Sequence, residues 1–132
     1  MLIADEHRII NTAGYVQTRK IDAWQKAIDL ADLVYSKTKS FPADERFGLT
    51  NQMRRTAVSI SSNIAEGSAR ISDADFARFV EIATGSLFEV VSESTVAKRQ
   101  GYLSEDSFVA IYKAAEEQGR MLSGLRRTLV GN

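Results

Sequence analysis

Along four long stretches of this 132-residue chain, apolar side chains recur at alternating steps of three and four, and the only proline is Pro42. Such steps place side chains on one face of an α-helix. Proline removes a backbone donor and kinks a helix, so its near absence leaves long helices possible. The first helix is expected from about Asp22 to Lys39, with Trp24, Ile28, Ala31 and Tyr35 on its stripe, widened by Ala27 and Val34. Asp22 is the expected N-cap, and Phe41-Pro42 closes the segment, because a residue before proline avoids helical angles. The second, about Arg46 to Glu66, has Leu49, Met53, Thr56, Ile60 and Ile64 in line, with Gly67 as a left-handed C-cap.

The third is expected from about Ser72 to Gln100. Phe76, Val80, Ala83, Leu87, Val90, Ser94 and Ala97 mark its buried face, and Gly101 ends it. The fourth, about Ser104 to Leu129, uses Phe108, Ile111, Ala115, Leu122, Leu125 and Leu129. Ser72 and Ser104 suit N-caps, followed by acids at the positive end of each helix dipole. Four amphipathic helices joined by short connections predict an all-α, antiparallel up-down four-helix bundle over residues 21–132. Residues 1–20 show no sustained periodicity and are expected to form a mobile arm. Gly85, Gly119 and Gly124 fall inside helices, where each is either a tolerated weakness or a point of close helix approach.

Composition narrows the function classes. Seventeen basic and seventeen acidic residues cancel, against the strongly basic balance of a general polyanion binder. There is no cysteine and one histidine, His7, so thiolate or histidine metal sites and Ser-His-Asp catalysis are not expected. No glycine-rich phosphate loop occurs. No apolar run approaches the roughly 20 residues that cross a bilayer, and MLIADEHRII lacks the features of an export signal; a cytoplasmic protein without membrane contact is expected.

Three constellations stand out. Gln52, Arg55, Ser59, Asn63 and Glu66 line a polar seam on the second helix, and an antiparallel third helix would bring Glu89 to Arg55. That seam reads as a network fixing helix register, or else as a small-ligand or catalytic pocket. Lys113, Arg120 and Arg127 recur every seven residues on the fourth helix and, with Arg126, form a candidate basic ridge for nucleic acid. The alternative is a solvated face in which Lys113–Glu117 and Glu116–Arg120 pair. Leu33, Val58, Ala65, Ile82 and Phe88 lie off the main stripes and suggest a second buried surface, hence a homo-oligomer.

Trp24-Gln25-Lys26-Ala27, Phe47-Gly48-Leu49-Thr50, Arg54-Arg55-Thr56-Ala57-Val58-Ser59-Ile60 and Asn63-Ile64-Ala65-Glu66-Gly67 form a distinctive series. Phe76, Phe79, Ile82-Ala83, Gly85-Ser86-Leu87 and Glu89 continue it. Together they resemble the bacterial 23S rRNA intervening-sequence protein family over about residues 20–127, with Ser61 where members often have proline. The resemblance implies an up-down bundle assembling as a homopentamer, some members being encoded within insertions in large-subunit ribosomal RNA genes. It is similar in fold to the accessory variability determinant of diversity-generating retroelements, which works with a reverse transcriptase and RNA. Arg55, Ser59, Asn63, Glu66 and Glu89 match recurring family positions. The resemblance implies no catalytic residues, cofactor or metal. The expected function is therefore a non-catalytic homo-oligomeric scaffold contacting structured RNA or an RNA-associated protein. A protein-interaction module without nucleic acid is the alternative, and an enzyme or ligand binder at the Arg55–Glu89 seam a third.

Overall fold

The computed structural model describes residues 15–131. It contains four helices: α1 (Tyr15–Thr38), α2 (Leu49–Ser68), α3 (Asp73–Arg99) and α4 (Glu105–Val130), with a short 3-10 turn at Ala43–Glu45. Among the described residues there is no strand. Each helix packs on its neighbours in chain order, and α1 also packs on α4, closing a four-sided bundle. Residues meet in reverse order across every side. Arg54, early in α2, reaches Thr38 and Tyr35 at the end of α1. Thr56 meets Glu93, whereas Gly67 lies against Phe76 and Phe79. Glu81 pairs with Arg126 and Lys98 with Glu105. Neighbouring helices therefore run in opposite directions, as short connections require.

The helix ends show why the chain turns where it does. The Ser72 and Ser104 hydroxyls accept the amides of Asp75 and Ser107, each at 3.1 Å. At the end of α3, Gly101 takes φ +81°. Its amide reaches the Lys98 carbonyl at 3.0 Å, and the Tyr102 amide reaches that of Ala97 at 2.9 Å. That paired closure of the last turn favours glycine. At α2 the N-cap is Gly48, and the Leu49 amide donates instead to Glu45 Oε1 at 2.9 Å. A Cβ on residue 48 would stand 2.7 Å from that oxygen, so glycine leaves the carboxylate room.

Four expectations are corrected. α1 begins at Tyr15, so Asp22 lies within the helix and is no N-cap. Of the expected arm at 1–20, residues 15–20 belong to α1, and residues 1–14, with His7, lie outside the described residues. The buried stripe of α1 is Ala23, Ala27, Leu30, Ala31 and Val34, whereas Trp24 and Ile28 are half-buried and Tyr35 is exposed. Small residues let α1 sit close to the core, and Tyr35 serves as a platform for the Arg54 guanidinium, 4.7 Å from its ring centre. Lastly, Gly67 is no C-cap: α2 runs on to Ser68 and is capped by Ala69 in right-handed conformation.

The core of α3 follows the expected stripe, and so do those of α2 and α4 except at Leu49, Thr56 and Phe108, which are only half-buried. Met53, Ile60, Ile64, Val80, Val90, Leu122 and Leu125 are fully buried. Each such side chain contributes about 1.5–3 kcal/mol through burial. Ser61 is buried and its hydroxyl donates to the Val58 carbonyl at 3.0 Å, within an unbroken helix. No described helix is long and apolar enough to cross a membrane.

Candidate functional site

The polar seam on α2 divides differently from the sequence expectation. Gln52, Arg55 and Glu66 are exposed, as is Glu89 on α3. No ion pair joins Arg55 to Glu89 among the described residues, and Glu66 pairs with Arg70 one turn away at 3.0 Å. Ser59 and Asn63 are half-buried, but their side chains donate to the carbonyls of Thr56 and Ser59 within α2. The expected cross-helix network of Arg55 and Glu89 is thus not formed, because both side chains lie on the outer side of the α2–α3 contact.

Glu93, one turn beyond Glu89, is the carboxylate that turns inward; it is only 7% exposed. The Thr56 hydroxyl lies 3.1 Å from its Oε2 and 2.8 Å from the Gln52 carbonyl, and one proton cannot fully serve both. Oε1 is buried without a partner. Burial pushes the Glu93 carboxyl above the usual carboxylate range; the Thr56 hydroxyl and the nearby Gln52 side chain oppose that rise, and the Glu89 charge adds to it. A raised folded value means that the associated stability is fully present below the unfolded carboxylate pKa, about 4.3. It is lost as pH rises through the folded value. Glu93→Gln removes that titration. Urea unfolding of both proteins is expected to show the stability of wild type relative to Glu93→Gln falling from mildly acidic to mildly alkaline buffer. A difference independent of pH would contradict the buried-acid assignment. Among the described residues, no three His, Cys, Asp or Glu side chains stand together as a metal site.

A second buried polar group, absent from the sequence expectations, ties α4 to α1. Gln118 is fully buried and its Nε2 donates to the Ala23 carbonyl at 3.1 Å, while its Oε1 has no partner. Beside it, Lys26 pairs with Glu117 at 2.6 Å, and that contact holds the Lys26 ammonium above its usual pKa. The pairing has a consequence on the outer face. Glu117 is drawn across to α1, so the Lys113–Glu117 pair expected of a solvated face does not form, nor does Glu116–Arg120. Lys113, Arg120 and Arg127 make no ion pair among the described residues; Arg127 donates to the Ser123 hydroxyl at 2.9 Å. Arg126 does not share their situation, because Glu81 on α3 holds it at 2.7 Å.

Arg120 and Arg127 border a groove of about 750 Å³ between α3 and α4. Leu87, Val91, Ala115 and Gly119 contribute apolar lining, and Phe88 and Tyr112 supply aromatic rings. Phe88 is 69% exposed. Tyr112 leans on Phe108, with ring centres 6.0 Å apart, and Lys98 sits 4.8 Å from the Phe108 ring. Of the suggested oligomer contacts, Phe88, Ile82 and Val58 are exposed, whereas Leu33 packs against the core and Ala65 is half-buried. Sequence reading missed Tyr112, whose signal was its position four residues after Phe108, an aromatic pair on one helix face.

The model of a family described as 23S rRNA-intervening sequence protein matches residues 19–124, a span that includes Lys113 and Arg120 and stops short of Arg126 and Arg127. Among solved structures, the chain is similar to a protein of unknown function from the S23 ribosomal protein family of Bacteroides thetaiotaomicron. The TM-score is 0.76 at 21% identity, covering 83% of this chain and 98% of that one. At that identity the likeness concerns the fold alone. No curated protein matches the chain.

Proposed function

The chain belongs to the 23S rRNA-intervening sequence protein family, and from that premise we propose a non-catalytic helical scaffold that assembles with copies of itself and contacts structured RNA. The observation supporting RNA contact is the row Lys113, Arg120 and Arg127, three cations without acidic partners on one line of α4. Seven residues rise about 10.5 Å along a helix, so the row presents charge at regular intervals to a phosphate backbone. A protein with zero net charge can still bind RNA through such a local line, and symmetric assembly adds the fields of several copies. Exposed Val58 and Ile82 support self-association, with a pentamer as the expected assembly.

The reading is tested by reversing two charges, Arg120→Glu with Arg127→Glu. Retention of ribosomal RNA fragments in moderate salt is expected to be lost. The dependence of log affinity on log salt should flatten by about 0.7–0.9 for each phosphate contact removed. Unchanged retention by a folded double variant counts against this surface. A protein-interaction module without RNA is the second reading, and the observation favouring it is the exposure of Phe47 and Ile71 in the connections at opposite ends of the bundle. Co-purification of a protein partner from nuclease-treated extract, with no RNA bound in untreated extract, would favour it.

A further inference from the structure

The α3–α4 groove combines features that a merely solvated helix face does not require. Much of its lining is apolar, two aromatic rings open onto it, and two arginines without carboxylate partners border it. RNA loops offer the matching chemistry. Unpaired bases have flat apolar faces that stack on aromatic side chains, and their phosphates pair with arginine. Duplex RNA hides its base faces and presents mainly phosphates and 2′-hydroxyls. Resting on the RNA reading above, we propose that this groove takes unpaired bases of single-stranded RNA against Phe88 and Tyr112, while Arg120 and Arg127 hold the adjoining phosphates.

The lining gives the groove a direction. Along α4 the order is Tyr112, Glu116, Arg120, Arg127, so the single acid lies on the tyrosine side of both arginines. Phosphate is favoured at the arginine end, and the Glu116 carboxylate repels it from the tyrosine end, where a base is the better occupant. Tyr112 is already braced by Phe108, so stacking on it costs little further ordering. An amphipathic protein helix fits less well. It would need a continuous apolar floor, and Thr84, Glu116 and Ser123 interrupt this one.

Fluorescence anisotropy of a labelled oligoadenylate, compared with a labelled RNA duplex of equal length, tests the proposal in the full-length protein. The single strand is expected to bind more tightly than the duplex. Phe88→Ala should weaken the single strand by roughly five- to 160-fold, the range of base–aromatic stacking, and leave the duplex unchanged. Phe88→Trp should restore binding, and the salt dependence should stay that of wild type. The Arg120→Glu, Arg127→Glu protein should weaken both probes and flatten the salt dependence. If both probes bind equally and Phe88→Ala alters neither, the groove assignment fails while RNA binding by the scaffold stands. If neither probe nor ribosomal RNA binds, the RNA reading fails and this proposal with it. Sizing of the Phe88→Ala protein separates a further case: dissociation of an oligomer would make the groove a contact between copies and overturn the proposal.

Discussion

Leu122→Ala is expected to lower the free energy of unfolding by about 2–5 kcal/mol, measured as a reduced urea midpoint at unchanged slope. Leu122 is fully buried on α4, within a core that draws Leu30 and Val34 from α1, Met53, Ile60 and Ile64 from α2, and Val80, Leu87 and Val90 from α3. Removing three carbons loses their transfer free energy and leaves a cavity. Helices tied at both ends of the bundle cannot close fully around it. The ties are specific: the Tyr102 hydroxyl reaches Glu45 at 3.3 Å and its ring packs at a tilt against Phe41 at one end, and Arg126 pairs with Glu81 towards the other. A mostly exposed residue provides the contrast. Phe88→Ala should change stability by no more than about 0.5 kcal/mol, the usual range for surface substitutions. A loss below about 1 kcal/mol for Leu122→Ala would mean that the core relaxes around the missing side chain.

The same substitution at two glycines should act with opposite sign. Gly67→Ala is expected to destabilise by about 1–3 kcal/mol through overpacking, although alanine is intrinsically favoured in helices by about 1 kcal/mol. Gly67 is buried inside α2, where an added Cβ would stand 2.6 Å from Phe79 Cβ and 2.8 Å from Phe76 Cδ1. A Cβ cannot swing aside as a side-chain tip can, so relief requires α2 and α3 to move apart. At Gly85 an added methyl meets nothing within 4 Å, and Gly85→Ala should stabilise by up to about 1 kcal/mol. Gain of stability at both sites in urea unfolding would remove the close approach of α2 and α3. Gly119 and Gly124 fall between these extremes: a methyl at 119 makes ordinary contact with Leu87, and one at 124 would meet the Arg19 guanidinium, which can shift.

How much of the candidate site was legible follows from the range of the forces involved. Arg120 and Arg127 were found because their spacing is a property of one helix. Whether Lys113, on the same line, stood free was not, because that depended on Lys26, far away in sequence, drawing Glu117 across to α1. Arg126 looked equivalent to Arg127 by sequence, yet one residue is a turn of about 100° around the axis. That rotation delivers Arg126 to Glu81 and leaves Arg127 on the groove margin. The same angular sensitivity separates Glu89 from Glu93: four residues apart on α3, one is solvated and the other lies under Thr56.

The sequence by itself determined four helices, three of their four inner faces, and the caps at Ser72, Ser104 and Gly101. Its motifs also identified the family. Helical periodicity and capping are interactions within a few residues, so they are written locally. The tertiary structure decided the rotation of α1 onto its alanine face, the close contact at Gly67, the burial of Glu93 and the groove between Phe88 and Arg127. Each depends on the rotation and axial offset of one helix against another, set by packing of the whole core, which no short stretch of residues specifies.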